Sequence, residues 1–120
     1  MGKFQFIQVE KPIVPVKKLD LSIVELIKRR RRQILVNSAI YYRFGTSLVE
    51  DKVFDSWGYE LRDLQKKYPN ESKDAEYYDE FKDWDGTTGY DLPLYPFLDK
   101  AKQLIEFRNK MEEEDAKIRN

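Results

Sequence analysis

Cysteine and histidine are both absent from this chain of 120 residues. Without cysteine there is no disulfide, no thiolate nucleophile and no thiolate metal ligand, and a reducing compartment is the natural setting. Without histidine the chain lacks the side chain that most often serves as a base near neutral pH and as a metal ligand. Any chemistry must rest on Asp, Glu, Lys, Tyr or a bound cofactor, and no metal is expected. Long apolar runs are missing too. None approaches the roughly 20 residues needed to cross a bilayer. Phe4, Phe6, Ile7 and Val9 are interrupted by Gln5 and Gln8, so no signal-peptide core is expected. These absences lead to the expectation of a soluble, cytoplasmic protein that makes no membrane contact.

Charge is abundant and balanced, with 22 Lys/Arg against 22 Asp/Glu. Its placement is uneven. Residues 1–50 hold ten basic and four acidic side chains, and residues 51–120 hold twelve basic and eighteen acidic ones. The halves can attract each other within one chain or between copies, or the basic half can meet an outside acidic partner. The length suits a single domain, which buries roughly two-thirds of its unfolded surface.

The pattern predicts a mainly α fold: a small domain of about four helices over 20–120, with an extended N-terminal arm over 1–19. Alternation at Phe4–Val9 and prolines at 12 and 15 keep that arm extended. A first helix is expected from Ser22, with Glu25 completing a capping box, to Phe44, where Gly45 stops it. Its buried side is read as Leu26, Ile27, Arg30, Ile34, Asn37, Ser38 and Tyr41. A second helix is expected from Asp51 as N-cap, with Phe54, Trp57, Leu61, Leu64 and Tyr68 as one apolar stripe. Pro69-Asn70 ends it, and Gly58 permits a close crossing. A third, acidic helix is expected over Ser72–Trp84. After an irregular apolar segment containing Leu92, Leu94 and Phe97, a last helix runs to about Lys117, its acidic end frayed.

Tyr41 and Tyr42 leave the first helix as an aromatic pair. A short loop follows, then Asp51, Phe54 and Asp55. Aromatic faces beside carboxylates suit a flat cationic ring. The same residues also suit ordinary helix packing, an N-cap at Asp51 and a favourable negative charge in a first helical turn.

The stretch Ile40–Leu64, I-Y-Y-R-F-G-T-S-L-V-E-D-K-V-F-D-S-W-G-Y-E-L-R-D-L, resembles the small helical N-terminal domain of bacterial NAD-dependent DNA ligases, and Tyr68-Pro69 extends the likeness. The likeness covers about a quarter of the chain. It implies recognition of the nicotinamide mononucleotide half of NAD. By position, Tyr41 corresponds to the family's ring-binding tyrosine, Tyr42 stands where the family has histidine, and Phe54 replaces a second tyrosine. Asp51 and Asp55 stand at its two acidic positions. The ligase's adenylation domain has no counterpart in the sequence. Lys82-Asp83-Trp84-Asp85-Gly86 misses the family's K-x-D-G spacing by one residue, and Asp74–Asp79 only echoes the acidic phrase.

The basic run Lys28, Arg29, Arg30, Arg31 and Arg32 sweeps more than one helical turn and cannot all point away from a core. It reads as solvated charge, as a contact for nucleic-acid phosphate, or as a contact for an acidic protein surface, including a second copy's C-terminal half. The acidic residues Asp74, Glu76, Asp79, Glu80, Asp83 and Asp85 read as a solvated face or as a mimic of phosphate. Asp85–Tyr90 reads as a tight turn.

Two functions remain open. The resemblance implies a free-standing NAD or nicotinamide mononucleotide recognition module, non-catalytic, serving DNA repair or replication beside a separate adenylation or DNA-processing protein. The charge pattern fits a non-enzymatic interaction protein, with weak nucleic-acid contact or self-association. A carboxylate-based enzyme is a third class, without a paired-carboxylate constellation to carry it.

Overall fold

The structure is a computed structural model and describes residues 18–86 and 88–119. The expected arm over residues 1–19 lies almost wholly outside the described residues. Five α-helices are present among these residues, with no strand: α1 (Leu21–Phe44), α2 (Asp51–Lys67), α3 (Pro69–Asp74), α4 (Tyr78–Phe81) and α5 (Leu98–Arg119). A single 3₁₀ turn, Tyr95–Phe97, leads into α5. No helix among them is long and apolar enough to cross a membrane.

Helix α1 is the spine, with α2, α3 and α5 packed around it. Its start differs from the expected capping box. Asp20 is the N-cap, and its Oδ1 accepts from the Ser22 amide at 3.0 Å and the Ser22 hydroxyl at 2.6 Å. Those bonds, the Ser22 hydroxyl first, hold the Asp20 carboxyl below its ordinary value of 3.8. At the other end Gly45 takes a left-handed φ of 67° and closes the helix, as its sequence position implied.

The buried side of α1 is shifted from the expected one. Val24, Ile27, Arg31, Ile34, Leu35, Val36, Ser38, Ala39 and Ile40 are buried, whereas Tyr41 is exposed and Arg30 only half-buried. Leu61 of α2, Phe81 of α4, Leu92, Leu94 and Phe97 of the crossing segment, and Ala101 of α5 complete the core. The α2 stripe packs as its spacing predicts, with Phe54, Trp57, Leu64 and Tyr68 around Leu61. Asp51 is the first residue of α2 and not its cap. Glu50 precedes it as N-cap, without a side-chain bond, and its carbonyl accepts from Val53 and Phe54 at 3.0 and 3.1 Å.

The expected acidic third helix is two helices, which raises the count from four to five. Pro69 ends α2 and opens α3 at its N1 position, where a missing N–H costs nothing. The ladder then breaks at Ala75–Tyr77. The carbonyls of Ala75 and Glu76 accept from Arg31 instead of continuing a helix, each at 2.9 Å. Tyr77 turns the chain with φ 69°, a conformation costly for a bulky residue. Its ring is held edge-on to Phe97, which keeps the turn in place.

The close crossing foreseen at Gly58 is present. A Cβ there would stand 3.1 Å from the Gly86 carbonyl oxygen and 3.3 Å from the Trp84 ring. Gly89 makes a closer approach still, because a Cβ would fall 1.8 Å from Ser38 Oγ. This contact presses the 85–90 loop onto the C-terminal half of α1.

Candidate functional site

Helix α1 ends in the aromatic pair, the chain reverses through 45–50, and α2 brings its first two turns alongside. The result is one cavity of about 250 Å³. Tyr41, Tyr42, Asp51, Phe54 and Asp55 all line it. The four-residue spacing of Asp51 and Asp55 puts both carboxylates on one side of α2. Neither has an ion-pair or hydrogen-bond partner among the described residues, and no Lys or Arg lines the cavity.

The two tyrosines are held differently. Tyr42 is half-buried. Its hydroxyl shares a 2.9 Å hydrogen bond with Thr88 Oγ1, and its ring meets Tyr90 edge-on at 5.3 Å. Tyr41 meets the Tyr42 ring edge-on at 4.9 Å and is otherwise 57% exposed. Tyr42 is therefore held on two sides as a wall, and Tyr41 is the more exposed of the pair.

Sequence reading missed the rest of the wall: Asn37, Ser38, Ser47, Val49 and Thr88. Thr88 arrives from a loop with no local signal beyond its turn residues. Trp84 Nε1 donates to the Thr88 carbonyl at 2.6 Å, and the Tyr90 amide donates to Thr88 Oγ1 at 3.1 Å, which fixes that loop. Ser38 is 1% exposed, and its hydroxyl has no hydrogen-bond partner among the described residues.

The basic run does not act as one patch, because helical geometry sends its members in different directions. Arg31 has no exposed surface. Its guanidinium donates to Gln65 Oε1, to the Ser72 carbonyl and hydroxyl, and to the Ala75 and Glu76 carbonyls, all between 2.7 and 3.1 Å. Burial lowers its pKa from the ordinary guanidinium value to about 10, a loss that the charge of Glu80 partly offsets. The group remains a cation at neutral pH and lies near the C-terminal carbonyls of α3, where a positive charge is favoured. Arg31 is thus a structural residue and not a partner contact. Arg30 is turned away as well, with Nε 2.6 Å from Glu60 Oε1.

Lys28, Arg29 and Arg32 do share a surface. With Glu25, Gln33, Val36 and Asn37 of α1 and Lys100 and Leu104 of α5, they line an open groove of about 370 Å³. Lys28 leans to Glu76 at 3.0 Å, and Arg32 donates to the Tyr77 hydroxyl at 3.3 Å. The Glu76 hydrogen bond and charge raise the Lys28 pKa above 10.5. Arg29 and Lys100 have no ion-pair partner among the described residues.

The acidic segment is spread over α3, α4 and the turns beside them. Among the described residues no group of three or more Asp or Glu side chains is placed to hold a metal ion. No family model, curated protein or solved structure matches the chain. The DNA-ligase-like and NAD-binding descriptors implied by the resemblance are corrected on that finding: the local likeness at Ile40–Leu64 extends to no demonstrable kinship.

Proposed function

We propose that this chain is a non-catalytic recognition module whose α1–α2 pocket takes a small, planar organic cation. The observation that carries this reading is the composition of one cavity wall. Three aromatic side chains, Tyr41, Tyr42 and Phe54, share it with two carboxylates that are unpaired among the described residues, and no Lys or Arg among those residues lines it. A positive ring placed there gains the aromatic quadrupole and the carboxylate field together, the first worth about 0.5–2 kcal/mol. The volume of about 250 Å³ suits one ring with a compact substituent, since drug-sized ligands fill roughly 300–1,000 Å³. The absence of His and Cys from the chain favours binding over turnover.

The test is a titration of the full chain with N-methylpyridinium, followed by NMR. Tetramethylammonium (charged, not planar) and benzyl alcohol (planar, not charged) serve as controls. Saturable shifts at Tyr41, Tyr42, Asp51, Phe54 and Asp55, strongest for N-methylpyridinium, support the reading. Equal response to all three probes, or none at millimolar concentration, rejects it.

A further inference from the structure

Beyond its first turns, α5 leaves the domain. From Glu106 to Arg119 every residue except the half-buried Arg108 is exposed. Among the described residues the one hydrogen bond from this stretch back to the domain is long, with Arg108 Nη1 donating to the Ser47 carbonyl at 3.5 Å. A helical stretch of this length is marginal in water without tertiary packing. It nonetheless carries Phe107, Met111 and Ile118, which are 64%, 51% and 83% exposed. With Leu104 they fall at spacings of three, four and seven residues, inside an arc of about 60°. Leu104 is also a wall of the basic groove. The apolar stripe therefore begins in that groove and runs outward along α5.

Charge changes sign along the same line. The groove end presents Lys100 with Arg29 and Arg32. The outer end presents Glu112, Glu113, Glu114 and Asp115. Of these, Glu112 pairs with Arg108 and Asp115 with Arg119 along the helix, whereas Glu113 and Glu114 have no ion-pair partner among the described residues.

We propose that the groove and the stripe together form a self-association surface, and that its occupant is the outer half of α5 from a second copy of this chain, laid antiparallel. A two-fold axis beside Phe107 and Arg108 sets Leu104 against Met111 of the partner subunit and Lys100 against Asp115 of the partner subunit. Each contact occurs twice, as two-fold symmetry requires. Ile118 then reaches toward the exposed Tyr95–Pro96 corner of the other copy. A parallel arrangement is disfavoured because it stacks each acidic run against its own copy and leaves the basic groove unfilled. This surface is separate from the α1–α2 pocket, and its proposal does not depend on the pocket's ligand.

The experiment is sedimentation equilibrium of the full chain at low and high salt, combined with carbodiimide cross-linking of mixed isotopically labelled and unlabelled protein. Wild type is expected to dimerise at concentrations on the order of 100 μM or below. Met111→Glu lies at an exposed position, so its circular dichroism should match wild type, and it is expected to weaken the dimer by at least about tenfold. Lys100→Glu is expected to weaken it similarly, and Lys100→Glu with Asp115→Lys to restore it. Cross-links should join Lys100 of one copy to Asp115 of the other. A monomer throughout this range overturns the proposal, as does a dimer indifferent to Met111→Glu or one in which the paired exchange fails to restore association.

Discussion

Arg31 and Gln65 meet through two hydrogen bonds, with Nε at 3.1 Å and Nη2 at 2.9 Å from the same Gln65 oxygen. The other end of the Gln65 amide donates to the Phe81 carbonyl at 3.1 Å. One neutral side chain thus links α1 to α4 through α2. A buried cation is usually matched by a carboxylate. Here every hydrogen-bond acceptor around it is neutral, so the satisfaction of its N–H groups holds it in place.

Arg31→Ala leaves those acceptors without a donor and opens a cavity. Its expected cost is about 3–5 kcal/mol, in the range for breaking a buried charged network. Arg31→Met keeps most of the volume and removes the charge, so it should cost less. Urea unfolding of both variants checks this. An alanine variant within about 0.5 kcal/mol of wild type would show that Arg31 has no structural role.

Ser38 and Gly89 give an opposed pair of outcomes. Removing an unsatisfied buried hydroxyl, as in Ser38→Ala, is expected to raise stability by about 1 kcal/mol. Gly89→Ala drives a methyl group into Ser38 and is expected to lower stability by about 1–3 kcal/mol. Thermal unfolding of the two variants should therefore move in opposite directions.

Acid sensitivity has an identifiable contribution at the start of α1. The folded-state pKa of Asp20 is depressed. Its stabilisation is present above the ordinary carboxylate value and is lost as pH falls through the folded value. Asp20→Asn retains a capping oxygen but cannot titrate. The gap between wild type and this variant should narrow as pH falls below about 4, a trend that urea midpoints measured across acid pH would reveal.

In the α1–α2 pocket, Asp55→Asn should weaken a planar cation by about three- to tenfold. Tyr41→Ala should weaken charged and uncharged rings alike, because it removes the exposed aromatic face. Calorimetric titration of the two variants separates the contributions. Both substitutions are at exposed positions and should leave thermal stability within about 1 kcal/mol of wild type.

The parts of this fold that follow periodicity were legible in advance. The apolar spacing of α2 identified Phe54, Trp57, Leu61 and Leu64, and Gly45 marked the end of α1, because both are local properties of the chain. Arg31 was hidden inside a run of five like residues. Nothing in the composition of that run distinguishes the inward arginine from Arg30. The break at Ala75–Tyr77 was hidden for a related reason, since its cause lies more than forty residues away in the same guanidinium. The pocket was half legible. Tyr41, Tyr42, Asp51, Phe54 and Asp55 are close in sequence, whereas Thr88 enters through a tertiary contact that no local pattern encodes.

The hydrogen bond between Tyr42 and Thr88 gives the pocket a built-in optical readout. Thr88 accepts from the Trp84 indole, which also lies edge-on to Phe81 at 5.3 Å. Any movement of the Tyr42 wall is passed to that indole through a single residue. Only one other tryptophan, Trp57, contributes to the emission. Replacing it with phenylalanine would leave Trp84 as the sole reporter, so occupancy of the cavity could be followed by fluorescence without attaching a dye.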